Sequence, residues 1–127
     1  MQFRTRTISL FLLGLFAATA MWAQGTVQIN GTAHDATGLA VAGAEVKAMQ
    51  TATGAVRTVT SSNDGGYVLQ NLPIGPYTLE ISKDGFSKYV QTGIVLQVDS
   101  NPTIDAALKV GAVSDQVTVE ADAAMVE

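Results

Sequence analysis

His34 stands beside Asp35, and an imidazole next to a carboxylate is one way to build a general base. His34 is, however, the only histidine in the chain, and there is no cysteine. A histidine metal cluster, a Ser/His/Asp triad or a Cys/His pair therefore cannot be assembled in the usual form, and no enzyme is expected. Beside the Ala36-Thr37-Gly38 turn, His34 reads as an exposed loop residue. Asn63 and Asp64, with Asp84 or Asp99, supply oxygen atoms of the kind calcium takes, but the alternating ligands and closing Glu of a calcium loop are absent. Turn chemistry accounts for these residues, and no cofactor or metal is expected. Tyr67, Tyr77, Phe86 and Tyr89 are the remaining chemical candidates, as a platform on which a carbohydrate could stack.

The elements that must position these residues are read from turn chemistry and period-two alternation. Between Ser62 and Phe86, the residues Asn63, Asp64, Gly65, Gly66, Pro73, Gly75, Pro76, Asp84 and Gly85 separate short apolar runs. Tyr67 to Leu69 leads through Asn71 to Pro76 into Tyr77 to Ser82, which predicts two antiparallel strands with a corner between them. Gly75 and Gly85 are expected to supply backbone angles that a Cβ would forbid. Pro73 and Pro76 stiffen the corner, and Tyr77 buries its ring while its hydroxyl reaches a backbone partner. Further strands are predicted at Thr26 to Ala33, Ala44 to Ala48, Val56 to Ser61, Phe86 to Thr92, Ile94 to Val98, Thr103 to Leu108 and Val113 to Glu120. Strands at spacings of about 8 to 12 residues, with no helical period, indicate an all-β sandwich. No period of about 20 to 50 residues marks a solenoid or propeller.

At 127 residues and 47% hydrophobic content the chain has room for one modest domain. Its start is of another kind. Arg4 and Arg6 precede an apolar stretch from Ile8 to Ala18 that is too short to span a bilayer, and small residues follow at Ala18, Ala20 and Ala23. Residues 1–23 are therefore expected to be a signal peptide, cleaved after Ala23 or at the Ala18-Thr19-Ala20 triplet, and the protein to be exported to the periplasm or outer membrane. Loss of both arginines leaves five Lys and Arg against eleven Asp and Glu, a net charge of about −6. That charge repels phosphate backbones, so nucleic acid is excluded as a partner. Without cysteine the exported domain must be held by packing alone.

The turn residues also occur in a telling order. Gly31-x-x-x-Asp35-x-x-Gly38-x-x-x-x-Gly43-Ala44-x-Val46 is followed by Thr53-Gly54, Gly65-x-Tyr67, Asn71-Leu72-Pro73-x-Gly75-x-Tyr77-x-Leu79 and Gly85-Phe86. This series resembles the carboxypeptidase regulatory-like domain, and the resemblance implies a seven-stranded transthyretin-like or Ig-like β-sandwich over residues 25–108. It implies scaffold roles for Gly75, Tyr77, Gly85 and Phe86, and burial of Tyr67, Tyr77 and Phe86. Where the family carries Thr-Asp or Thr-Asn before the Gly-x-Tyr turn, this chain has Ser61-Ser62, which implies a weaker lock on that turn. Related Gram-positive surface domains carry intramolecular isopeptide bonds, but no partner for Lys47 can be identified, so Lys47 reads as a solvated strand residue.

Residues 109–127 are expected to be an extended acidic tail. Leu108 to Ala121 resembles the junction in Oar-like TonB-dependent outer-membrane receptors, where such a sandwich precedes plug and barrel, and within it Asp115-Gln116-Val117-Thr118-Val119-Glu120-Ala121 is the segment of interest. It looks like a TonB box, a β-prone peptide that an energising periplasmic protein captures by strand addition. The resemblance implies a TonB-like energising protein or an outer-membrane barrel as partner. An ordinary last strand is the alternative. The plug and the run of amphipathic strands of a barrel do not follow Glu127, so a truncated or split receptor frame and a free-standing module that binds carbohydrate or protein are both expected readings.

Overall fold

The computed structural model describes residues 26–121, and the expected period-two alternation is present there as eight strands. In chain order these are β1 (Thr26–Asp35), β2 (Glu45–Gln50), β3 (Val56–Thr60), β4 (Gly66–Pro73), β5 (Gly75–Ser82), β6 (Lys88–Leu96), β7 (Ala106–Leu108) and β8 (Gln116–Glu120). Residues 1–23, expected as the signal peptide, lie outside the described residues, as does the end of the expected tail beyond Ala121.

The strands form a three-stranded sheet, β4-β1-β7, and a five-stranded sheet, β3-β2-β5-β6-β8. Alternation decides what each strand buries. Val46, Ala48 and Gln50 of β2 and Tyr77, Leu79 and Ile81 of β5 point inward, and their odd-numbered or even-numbered neighbours face out. Ile29, Leu69, Leu72, Leu79, Ile81, Leu96 and Leu108 are fully buried between the layers. Burial of each such side chain is worth about 1.5–3 kcal/mol, which is what a chain without disulfides has to rely on.

The all-β sandwich follows the sequence reading, with three changes of detail. First, the strands on either side of Asn71 to Pro76 do not pair with each other: β4 lies in one sheet and β5 in the other, so the corner carries the chain across the core. Asn71 (φ 59°) and Gly75 (φ 135°) make that corner. Tyr77 donates its hydroxyl to the Pro73 carbonyl at 2.7 Å, and the buried Gln50 amide donates to the Ile74 carbonyl at 2.9 Å. A Cβ on Gly75 would stand 2.5 Å from that Gln50 nitrogen. Second, the runs expected at Phe86 to Thr92 and Ile94 to Val98 merge into β6. Gln91 lies opposite Leu79 and Ile94 opposite Tyr77, so β6 carries one extra residue, accommodated at Gly93 (φ 77°). Third, there are eight strands rather than seven, because part of the expected tail is the strand β8.

Residues 102–108 tie the two ends of the sandwich together. Asn30 N–H donates to the Pro102 carbonyl at 3.1 Å and Ile104 N–H to the Asn30 carbonyl at 2.7 Å, after which β7 runs parallel to the end of β1. The crossing passes so close to Gly31 that a Cβ there would lie 1.7 Å from the Ile104 carbonyl oxygen, a backbone atom that cannot swing away. The buried Tyr67 hydroxyl donates to the same carbonyl.

Gly31→Ala is therefore expected to cost at least about 3 kcal/mol. Tyr67→Phe, which strips a buried carbonyl of its donor, is expected to cost about 1–3 kcal/mol. Burial, with smaller contributions from Tyr89 and Asp105, raises the Tyr67 hydroxyl above the ordinary tyrosine range. The Tyr67 contribution is thus present below pH about 10 and lost as pH rises beyond it, a loss that Tyr67→Phe should remove. Urea denaturation measures all three effects, and a Gly31→Ala protein within about 0.5 kcal/mol of the parent would refute the close crossing.

Candidate functional site

The segment expected as the partner-contact site, Asp115 to Ala121, is positioned by the chain that leaves β7. Ser87 N–H donates to the Lys109 carbonyl at 2.7 Å and Gly111 N–H to the Gly85 carbonyl at 3.0 Å, which lays residues 109–111 along the loop between β5 and β6. Ala112 to Asp115 then make a turn closed by Asp115 N–H on the Ala112 carbonyl at 2.8 Å. Out of it β8 runs parallel to β6, with Lys88 opposite Gln116 and Thr92 opposite Glu120. Within the expected tail, residues 116–120 are docked as an edge strand, inside the run expected as a strand from Val113 to Glu120. The reason is that Val117 and Val119 favour the pleated conformation and β6 offers them an open ladder of backbone groups.

Backbone parity decides which groups of β8 are engaged. Lys88 N–H donates to the Asp115 carbonyl and Ala121 N–H to the Thr92 carbonyl, each at 2.8 Å. Because parallel pairing alternates along a strand, Asp115, Val117, Val119 and Ala121 turn their backbone groups to β6, and Gln116, Thr118 and Glu120 turn theirs away. Side-chain burial is slight. Val117 is half-buried, Ala121 packs against the core, and Gln116, Thr118, Val119 and Glu120 are exposed. The Gln116 amide donates to the Thr118 hydroxyl at 3.1 Å, so these two side chains hold each other on the outer face of the sheet.

The other candidates are scaffold. Tyr67, Tyr77 and Tyr89 are buried and Phe86 packs partly against the core, so these rings offer no stacking platform. Tyr89 donates its hydroxyl to the buried Gln91 side chain at 2.8 Å, and burial raises its pKa and that of Tyr77. Gly85 (φ 88°) closes the turn before Phe86, with open space around it, so only its backbone angle requires glycine. Asp35 is no partner for His34. Its Oδ1 accepts from Thr37 N–H at 2.9 Å, the Thr37 hydroxyl at 2.6 Å and Leu39 N–H at 3.0 Å, which makes it the cap of the turn after β1. These bonds, led by the Thr37 hydroxyl, hold its carboxyl below the usual range. Among the described residues no group of three or more His, Cys, Asp or Glu could hold a metal ion.

Ser61-Ser62 works differently from the weaker turn lock expected of it. The buried Ser61 hydroxyl accepts from Ala44 N–H at 2.9 Å and donates to the Val41 carbonyl at 2.7 Å, which pins the start of β2. The Ser62 hydroxyl donates to Asp64 Oδ1, and Gly66 N–H donates to the same oxygen at 3.1 Å. The turn is thus locked by Asp64, whose carboxyl is held below the usual range by these two donors, Ser62 first.

A second surface was not legible in the sequence. On the outer face of β1 and β4 lies an open groove of about 770 Å³, lined among others by Asn30, Thr32, Asp64, Val68, Thr103 and Asp105. Asp105 Oδ1 accepts from both Thr32 N–H and the Thr32 hydroxyl at 3.0 Å, and the Thr103 hydroxyl donates to Asn30 Oδ1 at 3.0 Å. Residues 73 positions apart meet here, and no local motif announces a contact at that separation.

A family model, carboxypeptidase regulatory-like domain, matches residues 28–109. Among solved structures the chain is similar to a candidate carbohydrate-binding protein from Bacteroides uniformis, with TM-score 0.54 and 19% identity over 66% of this chain and 41% of that one. It is similar to a streptococcal ancillary pilin, with TM-score 0.51 and 17% identity over 68% of this chain and 33% of that one. It is also similar to hydroxyquinol 1,2-dioxygenase from Pseudomonas putida, with TM-score 0.53 and 12% identity over 68% of this chain and 57% of that one. The chain thus spans less than two thirds of each of these proteins. At such identities the likeness shows a shared sandwich, and no enzymatic function is established by it. No curated protein matches the sequence.

The turn carboxylates give a pH test. A carboxyl held below its unfolded value adds stability that is present above pH about 4 and lost as pH falls through the lower folded value. Asp64→Asn keeps an oxygen for Ser62 and Gly66 but removes the charge, so the acid-side fall in thermal midpoint is expected to become shallower. An unchanged slope between pH about 5 and 2 would show that the Asp64 charge contributes nothing.

Proposed function

This chain belongs to the carboxypeptidase regulatory-like domain family, and from that premise we propose that it is a non-catalytic docking module of the cell envelope. It is exported by residues 1–23 to the periplasm or outer membrane. There it serves as the N-terminal periplasmic domain of a TonB-dependent outer-membrane receptor, in docking or gating of substrate import. Asp115, Gln116, Val117, Thr118, Val119, Glu120 and Ala121 are the partner-contact segment. The observation that carries this reading is the edge strand itself: β8 is short, regular and exposed, and alternate backbone groups along it point away from the sheet. Capture by strand addition needs such a segment, because main-chain hydrogen bonds supply the affinity.

A second reading rests on the groove over β1 and β4. Its hydroxyls and carboxylates, oriented by the Thr32–Asp105 and Thr103–Asn30 bonds, are the groups that hydrogen-bond a polyhydroxylated ligand, with Val68 as an apolar floor. The sandwich shared with a candidate carbohydrate-binding protein supports it at the level of fold only. Against it stands the burial of the tyrosine rings on which a sugar would stack.

Two measurements separate these readings. A peptide of residues 114–121 is expected to bind a purified TonB C-terminal domain weakly, and the same peptide with Thr118→Pro to lose that binding, since proline removes a donor on the side of the strand that faces away from β6. Equal binding by both peptides would reject the docking reading. In calorimetric titrations against soluble bacterial and plant polysaccharides, the full chain is expected to give no heat that Asp105→Ala abolishes; such heat would favour the groove.

A further inference from the structure

Resting on the docking reading above, we propose that the partner is taken up with β8 left in place. A basic, extended strand of the partner protein adds to the outer edge of β8 as the next strand of the five-stranded sheet, pairing with the backbone of Gln116, Thr118 and Glu120.

The choice between adding to β8 and pulling it away follows from what each would expose. Release of β8 would strand the backbone groups of Lys88, Val90 and Thr92, which pair with it. It would also uncover Tyr89 and Gln91, buried beside it, and withdraw Ala121 from the core. Release would exchange that ladder for water and expose side chains now covered, a net loss. Addition to the outer edge disturbs none of them, because the groups it uses already face away from β6.

Among the described residues, that edge carries no lysine, proline or bulge and no strand lies beyond it. Sheet edges are blunted by lysine, proline, bulges or a covering element. β8 reads Gln-Val-Thr-Val-Glu, with neither lysine nor proline, and the nearest bulge lies in β6. The opposite edge of the same sheet, β3, carries a cation, Arg57, which donates to the Gln70 carbonyl of the other sheet at 3.3 Å. The two edges of this sheet thus differ in charge: β3 carries a cation and β8 an anion.

Charge selects the occupant. Asp115 and Glu120 are exposed at the two ends of the ladder, and the cation on the neighbouring strand, Lys88, lies 3.7 Å from Glu80. An incoming strand with lysine or arginine at its ends meets carboxylates at both, whereas a second copy of β8 would bring acid to this acidic edge.

The absence of native cysteine makes a staple unambiguous. Lys88→Cys with Gln116→Cys joins directly opposed residues of β6 and β8, and the oxidised full chain cannot release β8. Binding of purified TonB C-terminal domain to this oxidised chain is expected within about twofold of the reduced form. Thr118→Pro, which removes an outward donor and leaves the β6 ladder intact, is expected to weaken binding at least about tenfold with little change in thermal midpoint. Raising salt from about 0.05 to 0.5 M is expected to weaken it further. Loss of binding on oxidation, with the peptide of residues 114–121 still bound, overturns in-place addition and leaves the docking reading standing. No binding by chain or peptide overturns both. Salt-independent binding, or a dimer that Thr118→Pro dissolves, overturns the basic partner.

Discussion

The structure depends on one close crossing, that of residues 102–104 over Gly31. The Ile104 carbonyl lies where a side chain at residue 31 would be, and Tyr67 holds that carbonyl with its hydroxyl. This contact joins three segments distant in sequence, β1, β4 and the approach to β7. It also sets the direction of everything that follows. With the crossing fixed, β7 must run parallel to β1, and the chain leaves it at the end of the sandwich where the β5–β6 loop offers partners to Lys109 and Gly111. Only from there can β8 enter parallel to β6.

The two sheets are unequal, and the larger one carries two exposed edge strands. β3 and β8 are the edges of the five-stranded sheet, and both are largely exposed. Their energetic value to the fold is accordingly small beside that of the core strands, where Leu79, Ile81 and Leu69 are removed from water. With its side chains mostly exposed, β8 is held mainly by its backbone ladder. It can therefore present one side of that backbone to a partner without loss to the core. The same sandwich occurs in a pilin, a candidate carbohydrate-binding protein and a dioxygenase, so the fold leaves function undecided and the site has to decide it.

Much of the scaffold was legible. The alternation of Ala44, Val46 and Ala48 and of Tyr77, Leu79 and Ile81 identified the buried faces, because a pleated strand bordering a core must repeat every two residues. Gly75, Gly85 and the Tyr77 hydroxyl were legible because their roles are local: a positive φ, or a bond to a carbonyl four residues away. Gly31 was visible only as a motif residue, since its reason lies 73 positions along the chain. The roles of Ser61 and Gln50 were hidden likewise, as their partners at Val41, Ala44 and Ile74 come from other elements.

The sequence by itself determined that this is a cysteine-free, all-β sandwich of the carboxypeptidase regulatory-like family, with β-prone residues at Val117 and Val119. Those are properties of composition, period and turn chemistry, which act over a few residues. Tertiary structure alone decided that β4 and β5 part into different sheets and that the strand expected between Val113 and Glu120 docks on β6. It alone decided, too, which backbone groups of that strand face outward. Pairing and parity are set by which edge lies within hydrogen-bonding reach, and that edge exists only once the core has brought distant segments together.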